Sequence, residues 1–279
     1  MRTIHTNFIE QSVYDLCADA CCRLGGDVSR LIQKAMETEE SPLARDILAK
    51  TIDNARIAGE TGMALCQDTG MVVVFLSLGQ DAHIEGGDLY ETIQQGVRRS
   101  YQDHYFRKSI LDPLNRVNTG DNTPAVIHTE IVPGDQLTIT VAPKGFGSEN
   151  MSRLKMLKPS DGKKGVMDFI VETVEEAGGN PCPPLIVGIG IGGNMELCCL
   201  LAKKALLREA GASHQDPEIA AMERELLGRI NALGIGPQGL GGSTTALAVH
   251  ILTHPTHIAG LPVAVNIQCH VARHQSVTL

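Results

Sequence analysis

The chain has 279 residues, 43% of them hydrophobic, enough to bury one large core or two closely packed lobes. With 3% aromatic residues, no Trp and a formal net charge of −8, it lacks the stacking platforms and basic surface of a nucleic-acid binder, although a small anionic ligand needs only a few local cations. The longest apolar runs (71–76, 185–191 and 260–267) fall well short of the ~20 residues that span a bilayer as a helix, and the N-terminus lacks a charged-then-apolar signal pattern, so the chain reads as cytoplasmic with no membrane partner.

The first ~60 residues read as helix. Val13, Leu16, Cys17, Ala20 and Cys21 recur at helical spacing. Ser41-Pro42 offers an N-cap and a proline at the first helical position; Leu43, Ile47, Leu48, Ile52 and Ala55 then mark one apolar face, and Gly59 predicts the stop. Residues 65–78 turn to strand, with the loop Cys66-Gln67-Asp68-Thr69-Gly70 at its mouth. A helix is predicted over 88–101. Residues 136–141 alternate like a strand, with Leu137, Ile139 and Val141 on one face. A helix over 165–177 leads to an apolar strand over 185–189, a Gly-rich turn and a helix over 194–207. Asp216-Pro217 caps a helix running to Leu233 and stopped by Gly234, and a strand over 262–267 ends at Cys269. Helices and strands alternate without strong hairpin signals, which predicts a mixed α/β layer structure.

Eight cysteines in a chain of this kind are expected to be reduced, buried or metal-bound rather than paired. Cys17, Cys21 and Cys22 lie in a helical pattern, and Cys198 and Cys199 in another, so these five read as buried thiols used as small hydrophobes. Cys66, Cys182 and Cys269 differ, each lying at a strand end or in a loop of Gly, Pro and polar residues. Prolines on both sides of Cys182 predict a rigid, extended backbone there, as a metal ligand needs and a core thiol does not. Three thiolates on a cubane of four irons would leave one iron open as a Lewis acid for a carboxylate and hydroxyl. From the residues alone, a zinc site or three unrelated loop cysteines stand beside that reading.

Gly188-Ile189-Gly190-Ile191-Gly192-Gly193 misses the dinucleotide-binding register, so close helix–strand packing is the better reading. The run from Gly234 to Thr245 lacks the lysine of a phosphate-binding loop and fits a backbone cradle for a carboxylate or a cluster edge, or a structural turn. Asp68, Arg107, Asn118-Thr119-Gly120, the segment from Lys144 to Asn150, His254, His257 and Arg273 are polar candidates. Each taken alone is more often a solvated or turn residue.

At these same positions the sequence resembles the iron–sulfur class of fumarate hydratases, specifically the alpha subunit of the two-subunit form, and is similar to the alpha subunit of L(+)-tartrate dehydratase. The likeness runs from about Leu43 to the C-terminus. It rests on Cys66-Gln67-Asp68-Thr69-Gly70, Val117-Asn118-Thr119-Gly120, Lys144-Gly145-Phe146-Gly147-Ser148-Glu149-Asn150-Met151-Ser152, Asn180-Pro181-Cys182-Pro183-Pro184, Gly234-Ile235-Gly236-Pro237-Gln238-Gly239 and the segment from Cys269 to Arg273. The N-terminal ~40 residues carry no recognised motif. The resemblance implies one catalytic domain over 1–279 and a 4Fe–4S cluster on Cys66, Cys182 and Cys269. It further implies substrate contacts from Gln67, Arg107, Lys144, Gly147 and Arg273, and Asp68 and His257 as catalytic groups. The reaction implied is reversible hydration of fumarate to malate, with L(+)-tartrate dehydration as the alternative. A non-catalytic iron–sulfur protein or a carboxylate-binding module are the less favoured classes. The sequence ends ten residues after Cys269, so the catalytic base is expected from a beta subunit in an alpha–beta hetero-oligomer, acting on a small dicarboxylate.

Overall fold

The computed structural model describes residues 2–271 and 273–279; Ala272, inside the last motif, lies outside them. In chain order the elements of the first half are β1 (Arg2–His5), α1 (Thr6–Cys22), α2 (Gly26–Thr38), α3 (Pro42–Thr61), β2 (Met71–Gly79), β3 (Ala82–Glu85), α4 (Leu89–Asp103), β4 (Val126–Val132) and β5 (Leu137–Lys144). There follow α5 (Phe146–Glu149), β6 (Arg153–Leu157), α6 (Gly162–Ala177), β7 (Leu185–Gly192), α7 (Met195–Ala205), α8 (Pro217–Asn231), β8 (Ala246–His254), β9 (Leu261–Gln268) and β10 (Gln275–Thr278). The class is mixed α/β, as the alternation predicts. No helix among the described residues is long and apolar enough to cross a membrane.

The chain divides into two compact units, one of Met1–Leu24, Ala55–Phe146 and Arg273–Leu279, the other of Gly25–Asn54 and Gly147–Ala272. In the first, a four-stranded sheet runs β10-β5-β2-β4, with β5 antiparallel to both its neighbours and β4 parallel to β2. Val72, Val74 and Leu76 of β2 and Leu137, Ile139 and Val141 of β5 put one face of the pleat into the core, against Ile9 and Val13 of α1 and Ile93 and Val97 of α4. Full burial of each such side chain contributes about 1.5–3 kcal/mol. Gly96 lets the two helices close: a Cβ there would lie 2.7 Å from Glu10 O. Asp88 starts α4, its Oδ1 accepting from Glu91 N at 2.8 Å.

The second unit is a four-stranded sheet β6-β9-β7-β8 covered on both faces. Val187 and Ile189 of β7, Val249 and Ile251 of β8, and Val263, Val265 and Ile267 of β9 meet α6 and α8 in one core. The alternate positions face α7, where Gly188 and Gly190 admit the helix. A Cβ on Gly190 would lie 2.0 Å from Cys198 O, so the glycines serve helix–strand packing. Asp216 caps α8, accepting from Glu218 N at 2.8 Å.

Several expectations are corrected. Gly59 does not stop α3, which runs to Thr61 and ends where Gly62 takes φ +71°. The helix buries Ala44, Leu48 and Ala58, while Leu43 is exposed, so its apolar face is rotated from the predicted one. Of the cysteine pair in α7, Cys198 is buried and Cys199 exposed, because neighbouring helical residues point about 100° apart. Strands β1, β3, β4, β6, β8 and β10 carry no distinct alternating signal. They are stabilised by pairing with distant partners.

Candidate functional site

The first unit builds a held loop from Cys66 to Gly70, between α3 and β2. Leu65 N donates to Cys21 O at 2.9 Å, fixing the entry. Cys66 is half-buried and its thiol donates to Gln67 Oε1 at 3.3 Å. The Asp68 carboxylate accepts from Gly70 N (3.0 Å) and Phe146 N (2.9 Å), so two backbone donors set its direction. Thr69 Oγ1 donates to Arg107 O at 3.2 Å, which places exposed Arg107 beside the loop. Gly70, at φ +81°, lies against β5 so closely that a Cβ would stand 2.6 Å from Lys144 O.

The loop is anchored from the core side by Tyr101, Cys21 and Asn122, which carry no sequence motif, and by Arg273, which does. Tyr101 Oη donates to Thr69 O at 2.6 Å, and the Cys21 thiol lies 3.8 Å from the same oxygen. Burial pushes the Cys21 thiol up to about 11 and the Tyr101 hydroxyl well above its ordinary value, so both remain protonated donors at neutral pH. Asn122 Nδ2 donates to Gly70 O at 3.1 Å. Arg273, only 2% exposed, donates from Nη2 to Asp68 O at 2.9 Å. Lys144 is also buried. Of the cations predicted to meet substrate in this unit, therefore, Arg107 is exposed while Lys144 and Arg273 lie inside the support of the loop.

In the second unit Cys182 precedes β7 and Cys269 follows β9. Because Ile186 pairs with Gln268 in an antiparallel register, both cysteines lie at the same end of the sheet. The link is direct: His270 Nδ1 is 3.0 Å from Cys182 O, an arrangement in which the ring N–H donates. Cys182 is exposed, and its backbone is not extended as the flanking prolines suggest: it takes φ +56°. The prolines fix their own φ and bar the right-handed helical region to Cys182, which leaves the left-handed one accessible. That conformation costs a non-glycine residue about 1–2 kcal/mol and persists where the surroundings impose it. Here they do. Gln238, itself at φ +55°, donates to Pro183 O from its backbone N (2.8 Å) and from Nε2 (3.0 Å). Gly239 approaches Gly179 so closely that a Cβ would fall 2.6 Å from the Gly179 Cα. The Gly-rich run is thus a cradle against the Cys182 loop.

The segment after Lys144 divides. Gly147 is exposed, and the nearest atom to a Cβ built there is Asn180 O at 3.8 Å, so it borders the Asn180-Pro181-Cys182 motif. Ser148 is buried, and Glu149 turns inward to Lys203 and to Asn266 Nδ2 at 3.0 Å. His257 does not join the cysteines of its unit. It follows β8, whose end pairs with Gly192, whereas Cys182 stands before Leu185 at the start of β7. At ~3.3 Å per residue, the strand separates the two ends by roughly 23 Å. His257 instead lines an open cavity of about 490 Å³ with Lys163, Ile191, Met222 and Ile258. Sheet order, which no local pattern encodes, sets this separation. Among the described residues, no group of three or more His, Cys, Asp or Glu side chains is placed to hold a metal ion.

Comparison with known proteins bears on these loops. The profile of the family described as fumarate hydratase (Fumerase) matches residues 10–278. A protein of Methanocaldococcus jannaschii provisionally named L(+)-tartrate dehydratase subunit alpha is 45% identical over 267 residues, covering 94% of each chain. The L(+)-tartrate dehydratase subunit alpha of Escherichia coli strain UTI89 is 33% identical, and that of strain K12 is 32% identical, each over 94% of this chain and 88% of the relative.

Proposed function

The chain belongs to the fumarate hydratase (Fumerase) family of hydro-lyases, and from that premise we propose that it is the cluster-binding alpha subunit of an iron–sulfur hydro-lyase interconverting fumarate and malate. The observation that carries this reading is the sorting of the thiols. Cys17, Cys21, Cys22 and Cys198 fill cores and Cys199 is exposed on the helix α7, whereas Cys66, Cys182 and Cys269 stand partly or wholly open in loops with built supports. An αL cysteine beside a glycine cradle, and a second cysteine joined to it through His270, make a donor set suited to a 4Fe–4S cluster. When bound, the cluster would supply a Lewis acid toward the substrate hydroxyl and carboxylate.

The remaining roles fall to side chains. Arg107 and Gln67, exposed beside Cys66, bind the far carboxylate, Arg107 through its planar fork. Asp68, aimed by two N–H groups, transfers a proton. Gly147 lets substrate approach the backbone near Asn180. Arg273 and Lys144 shape the Asp68 loop from within, and His257 is left out of the site that Cys182 and Cys269 border. A beta subunit supplies the base, as the "alpha" in the relatives' names suggests. Met63, Tyr105 and Phe146, exposed apolar side chains close in sequence or space to the Asp68 loop, are the surface it covers in an alpha–beta hetero-oligomer.

L(+)-tartrate is the second reading, favoured by the relatives' names. The test is anaerobic assay of the co-purified alpha–beta pair with fumarate, malate and both tartrate isomers. Turnover of malate with the highest kcat/KM, lost in air and restored by iron and reductant, is expected. A higher kcat/KM for L(+)-tartrate would overturn the substrate, full activity without iron the cofactor, and robust activity of the lone alpha chain the role of the partner.

A further inference from the structure

Glu39, between α2 and α3, is the most heavily bonded carboxylate of the second unit. It is 1% exposed. Its two oxygens accept from Ser41 N (3.2 Å), Ser243 N (3.1 and 3.0 Å), Ser243 Oγ (3.0 Å), Thr244 N (3.1 Å) and Thr244 Oγ1 (3.1 Å). Arg45 does not neutralise it, since its guanidinium donates to the Glu39 carbonyl. The buried charge is therefore met by backbone and hydroxyl dipoles, all but that of Ser41 from one loop, an arrangement in which each bond is charge-assisted. Burial alone would push the carboxyl up, but the donors from Ser243, Ser41 and Thr244 hold it below its ordinary value. Gly242 makes room for this grip: at φ +127°, a Cβ would lie 2.8 Å from that of Ala44 and 3.1 Å from Glu39 Oε2.

The gripped loop is the one that carries Gln238. Its start is tied by Gly236 N to Thr245 Oγ1 at 3.2 Å, and its far side by Gly241 N to Ile235 O at 2.9 Å. From Gln238 the connection passes to Pro183 O, next to Cys182, whose own carbonyl accepts from the His270 ring beside Cys269. We propose that Glu39 is a positioning residue for the cluster thiolates: by clamping Ser243 and Thr244 it holds the Gly-rich loop in the shape that keeps Gln238 on Pro183 and Cys182 in its left-handed conformation. This rests on the reading of Cys182 as a ligand. An amide cannot replace the carboxylate, because Glu39→Gln turns one acceptor into a donor that faces donors already in place.

The test reads Cys182 itself, in the full-length chain without cluster, under anaerobic reducing conditions. Iodoacetamide labelling followed by mass spectrometry gives a rate for each cysteine peptide, and hydrogen exchange gives the mobility of the Asn180 and Cys182 amides and of 234–243. Glu39→Gln is expected to change the Cys182 rate by threefold or more and to speed exchange in both segments, while Cys66 and Cys199 keep their rates. Ser243→Ala, which removes one hydroxyl donor and leaves the fold intact, should shift the same peptides to a smaller degree. It decides the matter if Glu39→Gln fails to fold. Ile230→Val, a mild core change in the same unit, should leave Cys182 unaltered. In the reconstituted alpha–beta pair, Glu39→Gln should lose its cluster signal to a chelator several-fold faster. An unchanged Cys182 rate in both Glu39→Gln and Ser243→Ala, or an equal change at every cysteine, overturns the proposal. Retention of a full cluster by Cys182→Ser would instead overturn the ligand assignment, and the labelling result stands apart from it.

Discussion

Asn122 is the place to test whether the Cys66–Gly70 loop is held from beneath. It is fully buried, sits at φ +62°, accepts at Oδ1 from Ser109 N (2.7 Å) and donates from Nδ2 to Gly70 O (3.1 Å). Asn122→Ala deprives Ser109 of its acceptor and leaves Gly70 O with only the 3.4 Å contact to Tyr101. Losing partners in such settings costs about 1–2 kcal/mol each. A further ~1–2 kcal/mol comes from placing alanine in a left-handed conformation that asparagine tolerates. The total, about 3–6 kcal/mol, is well above the ~1 kcal/mol of an average substitution. Asn122→Gly loses the same bonds but relieves the backbone, while its freer unfolded chain takes back ~0.4–1 kcal/mol. Glycine should therefore retain up to ~1.5 kcal/mol more stability than alanine. Hydrogen exchange resolved by peptide suits the measurement, because a chain of two compact units need not open in one step. Opening free energies of the β2 and β5 peptides should fall in the order parent, glycine, alanine, with β7 and β9 unaffected. A loss under ~1 kcal/mol for both variants would refute the anchoring argument.

Three further outcomes are expected. Arg107→Ala in the assembled enzyme should weaken kcat/KM by ~2–4 kcal/mol, the usual cost of removing one partner of a buried charged pair, and unchanged kinetics would take Arg107 out of the site. His250, buried and next beside the Arg208 cation, is held down from 6.5 to about 4. The unfolded chain then binds the proton more readily, so the neutral histidine stabilises above pH ~6.5 and that contribution, at most about 3 kcal/mol, is lost as pH falls toward 4. His250→Gln should flatten the stability of the second unit across that window; an equal slope in parent and variant would contradict this. In the chain without cluster, thiol labelling should reach Cys182 and Cys199 first and Cys17, Cys21 and Cys198 last, and a protected Cys199 would show that α7 is rotated from its described phase.

The comparison of Cys198 with Cys199 shows where sequence reasoning ends. Helical periodicity marks α7 as amphipathic, but in a short apolar run its phase is settled only when Gly188 and Gly190 admit the helix backbone and choose which side faces them. The same holds for α3, where Leu43 looked inward by spacing and the packing of Ala44 and Leu48 turned it out.

What the amino-acid sequence determined by itself is what local physics encodes. The caps at Asp88 and Asp216, the period-two run in β5, the glycines that mark close packing, and the setting apart of Cys66, Cys182 and Cys269 all follow from residue type and spacing. The tertiary structure alone decided matters that depend on partners distant in the chain. It gave Tyr101, Asn122 and Arg273 the support of the Asp68 loop, and Glu39 that of the Gly-rich run. It also set His257 at the far end of the sheet from Cys182 and Cys269, because strand order fixes which loops share an end, and strand order is chosen by long-range pairing and burial rather than by the residues of any one strand.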